Sequence, residues 1–138
     1  MKQPDITIYY DTKTGNVARF IKKLCDIHPE WHFININDFE HFSEPGHLIT
    51  FTWARGSAPV TTQYFVERFS NLILSVSSSG NRNWGPTFGM AADIISKNIG
   101  CPIFHKFELS GLKEDVQTIA GKIKNSHFIK HRKNIIRL

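Results

Sequence analysis

The stretch Ile6-Thr7-Ile8-Tyr9-Tyr10-Asp11-Thr12-Lys13-Thr14-Gly15-Asn16-Val17 decides how the rest of the chain is read. The β-branched and aromatic run at 6–10 predicts a strand, and the polar residues 11–16 predict the loop that ends it. Val17, Phe20, Ile21 and Leu24 then recur at helical spacing, with Arg19, Lys22 and Lys23 on the opposite face. Strand, polar turn and helix in that order are the opening arm of a crossover unit, from which parallel sheets are built.

The same grammar repeats downstream. Pro29 stops the helix, residues 31–36 alternate as a second strand, and a polar stretch at 37–46 precedes a third strand at 47–52. A Gly- and Pro-containing loop at 53–59 leads to a helix carrying Tyr64, Phe65, Val66 and Phe69, with Thr61 or Thr62 as its cap. The nearly continuous apolar run at 72–76 suits a central strand covered on both faces. Residues 77–86 read as a loop and about 87–99 as a helix stopped by Gly100. A fifth strand at 103–107 and a last helix at about 112–123 complete the set, leaving a tail to Leu138. Five strands alternating with helices predict an α/β fold, a parallel sheet with helices on both faces. Right-handed crossovers then gather the loops after the strands at one edge, where ligands bind. That edge is built from 11–16, 53–59 and 78–85.

Size and composition agree with this. A chain of 138 residues and 15.9 kDa has room for one domain, and 41% hydrophobic residues supply enough apolar mass to exclude disorder over most of it. Charged residues interrupt every apolar run before it could span a bilayer, and the first five residues lack the apolar core of a secretory signal, so a cytoplasmic protein without a membrane partner is expected. Cys25 and Cys101 are too few and too far apart for a disulfide scaffold or a thiolate metal site.

The first loop offers hydroxyls at Thr12 and Thr14, a permissive Gly15, the Asn16 amide and then a helix N-terminus, a combination that favours a phosphate. Ordinary capping explains the same residues if the loop is taken alone. Both GxxxxGK[ST] and GxGxxG are missing, which points to a mononucleotide phosphate rather than a triphosphate or dinucleotide. The second and third loops each carry a tryptophan, Trp53 and Trp84, among small residues. An indole at a ligand edge can stack on a planar ring, although each Trp taken singly also reads as a loop anchor. A phosphate loop and two aromatic loops together suit a ligand with a phosphate at one end and a flat heterocycle at the other, such as FMN.

At this point the residues carry a family resemblance. Tyr10-Asp11-Thr12-Lys13-Thr14-Gly15-Asn16-Val17 resembles the phosphate loop of flavodoxins, and Ser78-Ser79-Gly80-Asn81-Arg82-Asn83-Trp84-Gly85 resembles the flavin loop of the NrdI family, flavodoxin-like accessory proteins of class Ib ribonucleotide reductase. Cys101-Pro102-Ile103-Phe104-His105-Lys106-Phe107-Glu108-Leu109-Ser110-Gly111 is similar to that family's C-terminal signature. The resemblance covers about 6–123 and implies a flavodoxin-like three-layer sandwich with strand order 2-1-3-4-5. It divides the chain into an FMN-binding domain, 1–123, and a basic extension, 124–138. The second loop departs from the pattern: many relatives have a Gly-rich or Phe-Gly turn where this chain reads Thr52-Trp53-Ala54-Arg55-Gly56-Ser57-Ala58-Pro59.

The resemblance implies a non-covalent FMN site made of Asp11, Thr12, Lys13, Thr14, Gly15 and Asn16 from the first loop, Thr52, Trp53, Ala54, Arg55 and Gly56 from the second, and Ser79, Gly80, Asn81, Asn83, Trp84 and Gly85 from the third. The flavin does the chemistry, so no side chain is catalytic, and the protein supplies position and electrostatics. It further implies that the reduced flavin turns O2 into a superoxide-type oxidant, which passes to the dimanganese subunit of the reductase for assembly of its tyrosyl radical. A flavodoxin reductase or similar protein is the implied reductant. Arg55 and Arg82 bring positive charge and neither loop holds an acid, which should ease full reduction of the flavin. The alternatives are a generic flavodoxin-type electron carrier and a binding module that uses the basic tail.

Other patterns carry less. His28 and His32 sit four apart, but Pro29 breaks the helix that would align them on a metal. His41, His47, His127 and His131 read as surface residues, and His105 as a packed one. Ser110-Gly111-Leu112-Lys113 and Lys13-Thr14-Gly15 match SxxK and KTG in the wrong order and without SDN, so acyl-enzyme chemistry is rejected. The net charge of +5 divides unevenly: residues 116–138 hold six basic and no acidic side chains, whereas 1–115 hold 11 basic and 12 acidic. Nucleic acid is therefore not an expected partner of the nearly neutral body.

Overall fold

The computed structural model describes residues 5–38 and 41–136, with the side chains of Arg55 and of 128–136 outside the description. Its elements are β1 (Thr7–Tyr10), α1 (Asn16–Ile27), β2 (His32–Asn35), β3 (Gly46–Phe51), α2 (Val60–Phe69), β4 (Ile73–Gly80), α3 (Met90–Ile99), β5 (Ile103–Glu108) and α4 (Lys113–Ile136). The five strands form one parallel sheet in the order β2-β1-β3-β4-β5, as expected.

Alternation along the strands divides the core into two layers. Ile8 and Ile49 face α1 and α4, where they meet Phe20, Leu24, Ile119 and Ile123. Tyr9 and Leu48, their neighbours in sequence, face α2 and α3 and meet Phe65, Val66, Ala92 and Ile95. Each such large side chain contributes roughly 1.5–3 kcal/mol by leaving water. Phe20 of α1 stacks on Phe107 of β5 with ring centroids 4.1 Å apart, locking the first helix to the far side of the sheet.

Several boundaries differ from the sequence reading. β4 runs on through Ser77, Ser78, Ser79 and Gly80, which read as loop. Serines lack the apolar signature of a central strand, yet all three are buried, and neighbours satisfy the hydroxyls of Ser78 and Ser79. Ser78 Oγ donates to the Gly89 carbonyl at 2.7 Å and accepts from the Ala92 N–H at 3.2 Å, and Ser79 Oγ donates to the Leu109 carbonyl at 2.6 Å. α2 starts at Val60 with Pro59 before it, so Thr61 and Thr62 lie inside its first turn rather than capping it. α4 does not stop near Ile123 but continues to Ile136. His47 is a correction as well: it is 2% exposed, and His127 is half-buried against it. His41 is exposed, while the side chain of His131 lies outside the described residues.

Candidate functional site at the C-terminal edge of the sheet

β1, β3 and β4 all point their C-terminal ends at one edge, and the loops that follow them enclose a cleft of about 210 Å³. Gly15 opens α1 with φ +94°, a left-handed conformation that suits glycine, and as the N-cap residue it offers no side chain to the first N–H groups of the helix. The first turn of α1 also contains no acidic residue. Its free N–H groups and positive dipole end therefore face the loop without a competing anion, the arrangement that binds phosphate. Thr12 Oγ1 accepts from the Ala18 N–H at 3.3 Å and holds the loop against the helix.

Nine of the sequence-predicted residues line this cleft: Thr12, Thr14, Asn16, Thr52, Trp53, Ser79, Gly80, Asn81 and Trp84. Trp53 and Trp84 are 43% and 40% exposed, so both indoles keep surface available to a ligand. The others take supporting places. Lys13 lies over the Trp53 ring at 4.1 Å, and with Asp11 it lines a second hollow of about 490 Å³. That hollow shares Thr12, Phe51 and Trp53 with the cleft, which makes the Trp53 side chain a wall between the two. The Asp11 carboxylate is buried and accepts from the hydroxyls of Thr61 and Thr62 and from Asn37 Nδ2. Ala54 and Gly56 belong to a tight 3-10 turn (Ala54–Gly56) closed by the Trp53 N–H on the Ser57 carbonyl at 2.7 Å. Gly56 there has φ +86° and packs against Thr87 and Met90, and Arg55 falls in the same turn. Asn83 and Gly85 shape the turn after β4, where the Asn83 N–H donates to Asn81 Oδ1 at 2.9 Å.

Phe51, Val17 and Leu109 complete the lining and were missed as site residues. Phe51 and Val17 carry the signature of core residues, which conceals a position at the sheet edge. Leu109 holds φ +53°, unusual for a non-glycine residue and a strain of the kind found near functional sites. Its N–H donates to the Gly80 carbonyl at 3.0 Å, so the turn after β5 is stitched to the end of β4. Glu108 was missed too: although neither flavin loop contains an acid, its carboxylate accepts from the Arg82 N–H at 3.0 Å. A larger hollow of about 610 Å³, between α2 and the β2–β3 connection, shares no residue with the cleft.

This fold and edge define a flavodoxin-like protein, and comparison with solved structures agrees. A short-chain flavodoxin associated with a non-canonical PDU bacterial microcompartment superposes with TM-score 0.69 over 92% of this chain and 97% of that one, at 18% identity. Oxidised flavodoxin 2 from Bacillus cereus gives 0.60 over 94% and 99%, at 19%. The family model described as NrdI flavodoxin-like matches residues 8–121, and the chain belongs to that family. Protein NrdI of Bacillus licheniformis is 42% identical over 118 residues, 86% of this chain and 87% of that protein. The SPbeta prophage-derived protein NrdI of Bacillus subtilis is 38% identical over 114 residues, 83% of this chain and 88% of that protein. Fold and family together imply a flavin cofactor. No helix among the described residues is long and apolar enough to cross a membrane.

Proposed function

We propose that the cleft binds FMN and that the chain serves, in the cytoplasm, as the flavoprotein that supplies a superoxide-type oxidant to the dimanganese subunit of class Ib ribonucleotide reductase. The observation that carries this reading is one cleft in which the N-terminus of α1, opened by Gly15, with Thr12, Thr14 and Asn16, shares its walls with two part-exposed indoles. The donor set fits FMN: hydroxyls, an amide and main-chain N–H groups take the phosphate, and Trp53 and Trp84 offer flat apolar surface to the ring. When bound, the flavin supplies the electron chemistry with O2. The chain's residues hold the phosphate, orient the ring and set the local charge, with Lys13 over the Trp53 ring, Arg82 next in sequence to the lining residue Asn81 and no carboxylate in the lining. Residues 1–123 are read as the FMN-binding domain and 124–138 as a basic extension, with α4 running across the junction.

Three measurements test this. The purified chain should bind FMN and show two closely spaced one-electron potentials; widely separated potentials with a very low second value would remove the electrostatic part of the reading. The reduced holoprotein, mixed in air with the manganese-loaded subunit, should generate a tyrosyl radical signal in electron paramagnetic resonance. FMN binding without that signal would leave the electron-carrier role, with a flavodoxin reductase or similar protein as donor, which the likeness to two flavodoxins also favours.

A further inference from the structure

Arg19 lies one turn into α1 and escaped the sequence reading as part of a charged outer face. Its guanidinium folds back over the start of the helix: Nη2 donates to Asn16 Oδ1 at 2.7 Å, and Nε donates to Ser110 Oγ at 2.9 Å. Ser110 Oγ in turn donates to Asn16 Oδ1, also at 2.9 Å. A guanidinium can only donate, so the Asn16 atom facing it is fixed as the carbonyl oxygen, and that oxygen accepts twice. The amide's NH2 end is left without a protein partner among the described residues, on a side chain that lines the cleft. Gly15 leaves room for this arrangement, since a Cβ there would stand 2.8 Å from Arg19 Nη1. Lys23 braces the far side by donating to the carbonyls of Ser110 and Gly111 at 3.2 and 2.8 Å.

We infer that Arg19 is a positioning residue which, with Ser110, turns Asn16 so that its NH2 group rather than its carbonyl meets the cofactor's phosphate. The inference rests on the flavin reading above and adds to it. Left free, the Asn16 amide would rotate, and half of its orientations would aim a carbonyl oxygen at a dianion. Arg19 and Ser110 remove that choice before the ligand arrives, and in doing so they join the β1–α1 loop to the β5–α4 turn.

The test compares FMN with riboflavin, which has the same ring and no phosphate, by fluorescence titration of the full chain. Arg19→Met should weaken FMN binding about tenfold, the scale of one hydrogen bond to a charged group, while riboflavin affinity stays within about twofold. Arg19→Lys keeps the charge but loses the fork, and should fall with Arg19→Met. Ser110→Ala, at a half-buried turn position, should weaken FMN about threefold with riboflavin unchanged, and it decides the matter should the Arg19 variants fail to fold. Equal losses for both ligands, full FMN affinity in Arg19→Lys, or an unchanged FMN-to-riboflavin ratio in Ser110→Ala would each overturn the inference. A wild-type chain that binds neither ligand, or both equally, would overturn the phosphate-site reading itself.

Discussion

Asp11 shows how a residue's identity and its role separate. It sits in the loop that resembles a phosphate site, yet its carboxylate is buried and accepts from Asn37, Thr61 and Thr62, which lie 26, 50 and 51 positions away. Spacing along a chain tells which loop a residue belongs to, not which way its side chain turns, and these partners were invisible from the loop alone. The carboxylate ties the end of β1 to the first turn of α2. Asp11→Ala leaves three donors without their acceptor and should cost about 3 kcal/mol in urea denaturation. Asp11→Asn, which offers an NH2 group to hydroxyls that must then reverse, should cost less. Equal stability of wild type and Asp11→Ala would show that the network does not hold the loop.

At the scale of elements, the junction of β4 with α3 depends on the absence of side chains. A Cβ on Gly80 would stand 2.6 Å from the Gly89 nitrogen and 3.2 Å from the Phe88 ring, so the start of α3 must move if Gly80 becomes alanine. Overpacking of this kind costs typically 1–3 kcal/mol, and Gly80→Ala should be destabilising by about 2 kcal/mol and should weaken flavin binding, since Gly80 lines the cleft. Gly121, inside α4 with nothing within 4 Å of its would-be Cβ, should respond with the opposite sign: Gly121→Ala gains roughly 0.5–1 kcal/mol from helix propensity. Thermal melts of the two variants check the pair, and a shift of the same sign in both would reject the steric account. The same junction marks the limit of legibility in sequence. Strand count, order and the three loops around the cleft followed from apolar periodicity and resemblance, because hydrophobic strands and helices announce their period. The serine-rich half of β4 did not, because it is held by hydroxyls bonded to other elements. Leu109 and Phe51 entered the cleft unannounced for a related reason: apolar residues look alike in a core and in the wall of a cleft.

For the molecule as a whole, the basic C-terminal segment is joined to the sheet by a pair of imidazoles. His47 of β3 is buried beneath Phe104, with Nδ1 2.7 Å from Ser75 Oγ and Nε2 2.8 Å from His127 Nε2 on α4. One ring must donate and the other accept across that contact, so the pair is satisfied only while at least one imidazole is neutral. Burial, reinforced by the neighbouring His127, holds the His47 pKa down to about 3, against about 6.5 for an ordinary histidine. Between those two values the unfolded chain binds a proton that the folded chain refuses, so stability rises with pH across that window. The contribution is complete above about pH 6.5 and is lost progressively as the pH falls toward 3. One such group changes the unfolding free energy by up to about 1.4 kcal/mol per pH unit. Asp115 pulls the opposite way in mechanism but not in sign: burial raises its pKa, yet the Leu112 N–H and the His105 ring together outweigh that and leave it lowered, so its share of stability also fades in acid. His47→Asn keeps a polar atom near Ser75, loses the contact to His127 and cannot titrate. It should be less stable than wild type at pH 7.5 but have a shallower decline from pH 6.5 to 4 in denaturant titrations, so that the two curves converge in acid. If both proteins lose stability in parallel over that range, the acid sensitivity belongs to other groups and the imidazole pair is a structural contact alone.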